Sequence, residues 1–259
     1  MAEHFSGRLK QWFTRTLRRT GYQLVNVRKM YEFDGLHTVH SARFRADPRF
    51  QSAYQRAVRA SRGVDPNTGW RIHVGLWAAS MASRIPGDFV ECGVNAGFLS
   101  SAILSYLDWN NLGKRFYLVD TFEGPVLRQF SREEIESGRG DIARHALSSG
   151  AYVTDIERVR RNYAEWNRIE VVQGCVPEVL PAIHTSNRIA FLHLDMNCAF
   201  PEAAALEYFW PLMSRGGIVL FDDYAYFGCE GQAKAIDEVA ARLRAEILIL
   251  PTGQGMIIR

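Results

Sequence analysis

The stretch Phe89-Val90-Glu91-Cys92-Gly93-Val94-Asn95-Ala96-Gly97-Phe98-Leu99 carries an apolar run into a glycine-bearing turn and then into a second apolar segment. The run has the length of a buried strand, and the segment from about Leu99 reads as a helix. Glu91 sits near the end of the run, and Gly93 and Gly97 lack a Cβ, so the turn lets a ligand approach the backbone. Strand, acid–x–Gly–x–x–x–Gly turn and helix together form the opening unit of an open α/β sheet, whose ligands bind at the carboxyl ends of its strands.

Downstream the pattern repeats. Short apolar runs occur at Phe116-Tyr117-Leu118-Val119, Ile169–Val172, Ile189–Leu194 and Ile218–Phe221, with helix-like segments between several of them. A helical pattern also precedes the first run, from Trp70 to Arg84, and Pro86-Gly87 stops it. The tail Glu246–Arg259 reads as two strands around the turn Pro251-Thr252-Gly253-Gln254-Gly255, an antiparallel hairpin at one sheet edge. The expectation is a doubly wound, mostly parallel seven-stranded sheet with helices on both faces. Four of the five internal runs end in acid: Glu91, Asp120, Asp195 and the pair Asp222-Asp223. Parallel strands would bring these carboxylates to one edge.

The chain has 259 residues, of which 47% are hydrophobic and 23% charged, which suits one large α/β domain with an appendage. Residues 1–64 read as a basic, helical N-terminal extension, and residues 65–259 as the main domain. Seven basic side chains (Arg8, Lys10, Arg15, Arg18, Arg19, Arg28 and Lys29) face one acid, Glu3, in the first thirty positions. Residues 8–29 either rest on an anionic membrane surface or pack on the domain through Trp12, Phe13 and Leu17. No apolar run approaches the ~20 residues of a membrane span, and no secretory h-region stands at the N-terminus. The four cysteines, Cys92, Cys175, Cys198 and Cys229, are scattered without a CxxC pair, so neither zinc nor a disulfide framework is expected. A cytoplasmic setting follows, with no nucleic-acid partner; a homo-oligomer is left open. Residues 125–165 hold a polar insertion that reads equally as a lid or as a surface loop.

The chemistry is concentrated at the acid-tipped edge. Asp120 is placed to accept hydrogen bonds from ribose hydroxyls, with Thr121 beside it, and Glu91, Gly93, Asn95 and Gly97 form the cofactor loop. The glycine spacing departs from G-x-G-x-x-G, and an acid beside the loop suits the α-amino group and sulfonium of S-adenosylmethionine better than a nicotinamide. Asp195, Asp222 and Asp223 end neighbouring runs, so their tips would lie ~4.8 Å apart and repel unless neutralised. A hard cation such as Mg²⁺ would relieve that and lower the pKa of an acceptor hydroxyl. His193 shares its side of the strand with Asp195 and is a candidate general base, or else a core histidine.

Four blocks then carry a family resemblance: Gly87-Asp88-Phe89-Val90-Glu91-Cys92-Gly93-Val94, Val119-Asp120-Thr121-Phe122-Glu123-Gly124-Pro125, Leu192-His193-Leu194-Asp195, and Gly216-Gly217-Ile218-Val219-Leu220-Phe221-Asp222-Asp223-Tyr224. From about Trp70 to Arg259 the chain resembles the macrocin O-methyltransferase (TylF-type) family of class I S-adenosylmethionine-dependent methyltransferases. The resemblance implies a Rossmann-like methyltransferase fold and Mg²⁺-assisted methylation of a sugar hydroxyl on a natural product or glycan. It implies Asp195, Asp222 and Asp223 as metal ligands, and Glu91, Gly93 and Asp120 as cofactor contacts. Two positions depart from the family pattern. Asn197 stands where the family has a second acid, a base candidate, and Asn95-Ala96-Gly97-Phe98 replaces Trp-Arg-Gly-Gly. An amide takes no proton at neutral pH, so deprotonation must come from His193, a metal-bound hydroxide or solvent, or else the acceptor differs; Asp195 stands beside His193 as the other candidate catalytic residue. Two other classes stay open: a nucleotide- or NAD-dependent sugar-modifying enzyme, and a non-catalytic S-adenosylmethionine-binding scaffold.

Overall fold

All five internal apolar runs are strands in the computed structural model, which describes residues 12–22, 30–185 and 188–259. The chain divides into two compact units, Met1–Ala42 and Arg43–Arg259. In the first, residues 12–19 form helix α1, and β1 (Tyr31–Phe33) pairs antiparallel with β2 (Leu36–Thr38). The hairpin turns at Asp34-Gly35, both at positive φ (56° and 70°), the geometry in which an Asp-Gly pair matches strand twist. The sequence expectation of a purely helical extension missed it. Arg15, Arg18 and Arg19 lie on or at the end of α1, where Trp12 and Phe13 are exposed. Arg8, Lys10, Arg28 and Lys29 lie outside the described residues.

The second unit begins before the expected boundary at residue 64, because α2 (Pro48–Ala60) buries Phe50, Ala53 and Ala57 in the main core. Asp47 caps that helix by accepting the Arg49 N–H at 2.8 Å, with Pro48 in the first turn. Then follow α3 (Gly69–Ala82), β3 (Asp88–Cys92), α4 (Phe98–Tyr106), β4 (Phe116–Asp120), α5 (Arg132–Glu136), α6 (Arg139–Ser148) and α7 (Ile156–Asn162). The chain ends with β5 (Ile169–Gln173), β6 (Ile189–Leu194), α8 (Ala199–Phe209), β7 (Met213–Phe221), α9 (Glu230–Leu243), β8 (Leu248–Ile249) and β9 (Gly255–Ile258).

The sheet order is β5-β4-β3-β6-β7-β9-β8, parallel through β7 and antiparallel at β9 and β8. Alternate residues face opposite sides. Phe89, Leu118, Phe191 and Leu220 pack with α2, α3 and α4, while Val90, Val119, Leu192 and Phe221 pack with α8 and α9. Both faces are covered, which is why the strands are nearly continuous apolar runs. The order reverses between β3 and β6, and at such a switch point the crevice opens at the strands' carboxyl ends.

Register fixes what meets there. Glu91 pairs with His193, Cys92 with Leu194, and Leu194 with Phe221, so Gly93, Asp195 and Asp222 follow side by side. A Cβ on Gly93 would stand 1.9 Å from the Asp195 carbonyl oxygen, and its φ is 91°. Gly97, at φ 79°, makes room for the Tyr163 hydroxyl, 1.9 Å from where its Cβ would be. Protein packing alone already demands glycine at both positions. Gly93→Ala should destabilise the fold by about 3 kcal/mol or more through clash and φ strain; an unchanged urea midpoint would contradict this.

Candidate active site

The acid-tipped strands deliver Glu91, Asp120, Asp195 and Asp222 to one edge of the sheet, as the parallel register requires. Two open chambers lie there. One is lined by Asp120, Thr121, Val126, Tyr152, Cys175 and Asn197 among others; the second by Thr68, Arg71, Glu91, His193, Asp222 and Gln254 among others. Gly93, Asn95 and Asp195 line both chambers and so form the wall they share, while Gly97 lines neither.

Asp120 first shapes the loop. Its Oδ2 accepts the N–H groups of Val94 (2.7 Å) and Asn95 (2.8 Å), and its Oδ1 accepts that of Phe122 (2.8 Å). A carboxylate has about four acceptor positions, so capacity for a ligand hydroxyl remains, though less than two ribose hydroxyls would ask. Thr121 Oγ1 donates to the Gly124 carbonyl at 2.8 Å, which closes the turn after β4. The Asn95 side chain is spent on the insertion: Oδ1 accepts the Val153 N–H (2.9 Å) and Nδ2 donates to the Ala151 carbonyl (3.2 Å). It thereby holds Tyr152, half-buried, in the wall of the first chamber.

The insertion is also tied down elsewhere. Ser131 and Glu134 form a capping box on α5, and the buried Glu134 accepts the Ala199 N–H at 2.8 Å at the start of α8. Arg139 donates to the Asn197 carbonyl at 3.2 Å. Three short helices, each with few buried residues, account for its polar composition.

The second chamber holds a charge cluster. His193, buried, has Nδ1 3.0 Å from Glu91 Oε1, and its Nε2 faces Asp222 Oδ1 at 3.9 Å, an ionic contact too long for a hydrogen bond. Burial pulls its pKa down, but the carboxylates of Asp222 and Glu91 outweigh that and raise it to about 10. A proton affinity raised that far favours the imidazolium, in which both ring nitrogens carry protons and neither offers a lone pair to a base. Burial resists ionisation of Asp222, yet Arg71 and His193 hold its carboxyl far below the usual range. Asp195 is pushed well up, by burial and then by the charges of Asp222 and Asp223. Asp195 Oδ1 accepts from Asn197 Nδ2 at 3.1 Å.

Arg71 was not foreseen. It is 8% exposed, and its Nη1 lies 2.7 Å from Asp222 Oδ2 and 2.8 Å from Asp223 Oδ1. The signal was present in the sequence: Arg71 is the sole charged residue of α3, in an otherwise apolar, alanine-rich helix, and a buried guanidinium needs a carboxylate partner. Gln254, from the terminal hairpin, donates to Asp222 Oδ1 at 3.0 Å. Among the described residues, no group of three or more His, Cys, Asp or Glu is arranged to hold a metal ion. The four cysteines are free, and no helix of the described residues is long and apolar enough to cross a membrane.

Residues 76–246 match the profile of the family described as Macrocin-O-methyltransferase (TylF). The chain belongs to that family. A curated relative, the 8-demethyl-8-(2,3-dimethoxy-alpha-L-rhamnosyl)-tetracenomycin-C 4'-O-methyltransferase of Streptomyces olivaceus, is 29% identical over 158 residues, covering 58% of this chain and 57% of that protein. The chain thus spans a little over half the length of this relative. Among solved structures, the O-methyltransferase NovP is similar at 22% identity and a TM-score of 0.59, over 73% of this chain and 79% of that one. Calicheamicin methyltransferase CalS11 is similar at 16% identity and a TM-score of 0.56, over 92% and 98%. These likenesses establish the shared class I methyltransferase fold, with its Rossmann-like sheet.

A buried acid that the sequence reading passed over holds the Asp195–Asn197 turn. Glu202 on α8 accepts the N–H groups of Met196 (2.8 Å) and Asn197 (3.1 Å) and the amide of Gln232 (2.7 Å). Glu202→Ala should cost about 3 kcal/mol by leaving these donors buried without an acceptor. Burial raises the Glu202 carboxyl to about 8, against the pull of its hydrogen bonds. The folded chain therefore binds more protons than the unfolded one from the ordinary carboxylate range up to that value, and the group's contribution to stability falls as pH rises across the window. Urea titrations at several pH values should show this slope in the wild type and its loss in Glu202→Gln; equal slopes would refute it.

Proposed function

We propose that this chain is an S-adenosylmethionine-dependent O-methyltransferase acting on a sugar hydroxyl of a natural product or glycan. The observation that carries the reading is the pair of chambers at the switch point sharing the wall Gly93, Asn95 and Asp195. One chamber offers the Asp120 carboxylate to a ribose and the loop Gly174–Val176 to a base. The other offers Glu91, whose Oε2 is buried without a hydrogen-bond partner, to an α-amino group. Membership of the TylF family and the name of the Streptomyces olivaceus relative, a methyltransferase of a rhamnosyl group, support a sugar acceptor.

The bound donor supplies an electrophilic methyl group on a sulfonium. The chain's residues then orient and move protons. With Asn197 an amide and His193 an imidazolium, Asp195 is the remaining proton acceptor at the shared wall. Its proton affinity is raised by burial and by the neighbouring Asp222 and Asp223, and Oδ2 is the oxygen left for an acceptor hydroxyl. Loss of an acid at position 197 therefore does not by itself make the chain a non-catalytic scaffold. Asp195, Asp222 and Asp223 have the hard oxygen donors that Mg²⁺ prefers, and such an ion would polarise the acceptor hydroxyl. Two of these carboxylates are paired with Arg71, which the ion would have to replace.

Calorimetric titration tests the donor assignment. S-adenosylmethionine should bind while NAD and NADP do not, and Asp120→Ala should weaken binding about 10- to 100-fold, as loss of charge-assisted hydrogen bonds does. Binding of NAD in preference to S-adenosylmethionine would overturn it. With a panel of rhamnosides as acceptors, Asp195→Asn should lower kcat by about 100-fold or more while leaving donor affinity near the wild-type value, the range expected for a lost base; unchanged kcat would exclude Asp195 from that role.

A further inference from the structure

The rim carries four carboxyl groups, Glu91, Asp195, Asp222 and Asp223, and two resident positive side chains, His193 and Arg71. His193 is fixed: it is wedged between β3 and β7, within the sheet's own register. Arg71 differs. It reaches the rim from the first turn of α3, on a long side chain, and one nitrogen, Nη1, serves both Asp222 and Asp223. Its guanidinium carbon also lies 4.9 Å from the centre of the Tyr226 ring, so a second favourable seat is adjacent. The carboxylate pair that a divalent cation would need is thus already bridged by a cation.

We propose that Arg71 is a built-in competitor of the divalent cation: the guanidinium and the metal ion exclude each other at the Asp222–Asp223 pair, and the ion enters only when Arg71 leaves. This rests on reading the rim as a cation site. One observation points there besides the acids themselves. Glu91 Oε2 is buried without a hydrogen-bond partner, in the chamber that Asp195 and Asp222 also line, so the cluster is not closed by its own hydrogen bonds. The consequence is a rim neutralised in the absence of metal, with cation affinity set by how readily one side chain moves. Two carboxylates facing each other do not need to be held apart by strain.

The test uses the full chain and Mn²⁺ as a probe with an electron paramagnetic resonance signal. Free Mn²⁺ is measured against protein concentration for the wild type, Arg71→Met and Arg71→Lys. Methionine keeps the stem and removes the charge, so Mn²⁺ should bind about tenfold more tightly or better, in line with the coupling of close charge pairs. Lysine presents a point charge in place of the planar fork and should fall between the two. Should Arg71→Met fail to fold, the wild type and Arg71→Lys alone decide the matter. Equal or weaker Mn²⁺ binding by the folded variants overturns the proposal, as does the absence of binding in all three. S-adenosylmethionine calorimetry on the same samples keeps the two readings apart, since intact donor binding without Mn²⁺ binding removes the cation site and leaves the methyltransferase reading standing.

Discussion

Gly93 lies so close to the backbone of Asp195 that no side chain fits between them, and this contact sets the spacing of the whole site. It joins the end of β3 to the end of β6 at the point where strand order reverses. The cofactor loop begins on one side of the contact and the acid rim on the other. Because side chains alternate along strands, the same register places Glu91 beside His193 and brings Asp222 next to Asp195. Sheet geometry, and not local loop preference, therefore decides which groups meet. Glu202 reinforces the arrangement from the helix side by holding the backbone of Met196 and Asn197.

The price of gathering carboxylates at one edge is like-charge repulsion under partial burial. The molecule meets it in three ways: an imidazolium between Glu91 and Asp222, a guanidinium across Asp222 and Asp223, and a raised proton affinity at Asp195. The last of these is also what a proton acceptor requires. The substitution of Asn for acid at position 197 fits the same balance, since another carboxylate there would add to the repulsion, whereas the amide donates to Asp195.

The main domain was legible because its signals are periodic. Five apolar runs of strand length, with helical stretches between several of them and four of them ending in acids, leave few alternatives to a parallel sheet, and the Gly-rich tail marks its antiparallel edge. The site was legible only where strand ends define it. Arg71, Tyr152, Glu202 and Gln254 come from a helix, an insertion, a second helix and the terminal hairpin, and sequence spacing does not reveal which long-range elements converge. His193 shows the converse. Its position on the strand was readable, but its chemistry depends on partners 102 and 29 residues away, whose carboxylates raise its proton affinity. The Asp34-Gly35 hairpin was legible in principle, being a two-residue turn signal between short apolar pairs, and was hidden by the basic composition around it. At Gly93 and Gly97 the structure adds what spacing does not show, close packing against Asp195 and Tyr163.

The central claim is that one ligand spans the two chambers across the wall of Gly93, Asn95 and Asp195. The most direct measurement is a crystal structure of the full chain with S-adenosylhomocysteine. The account predicts the ribose against Asp120, the base beside Gly174–Val176, and the amino-acid end beside Glu91 in the second chamber. Density for the ligand confined to one chamber, or seated away from Asp120 and Glu91 altogether, would contradict it.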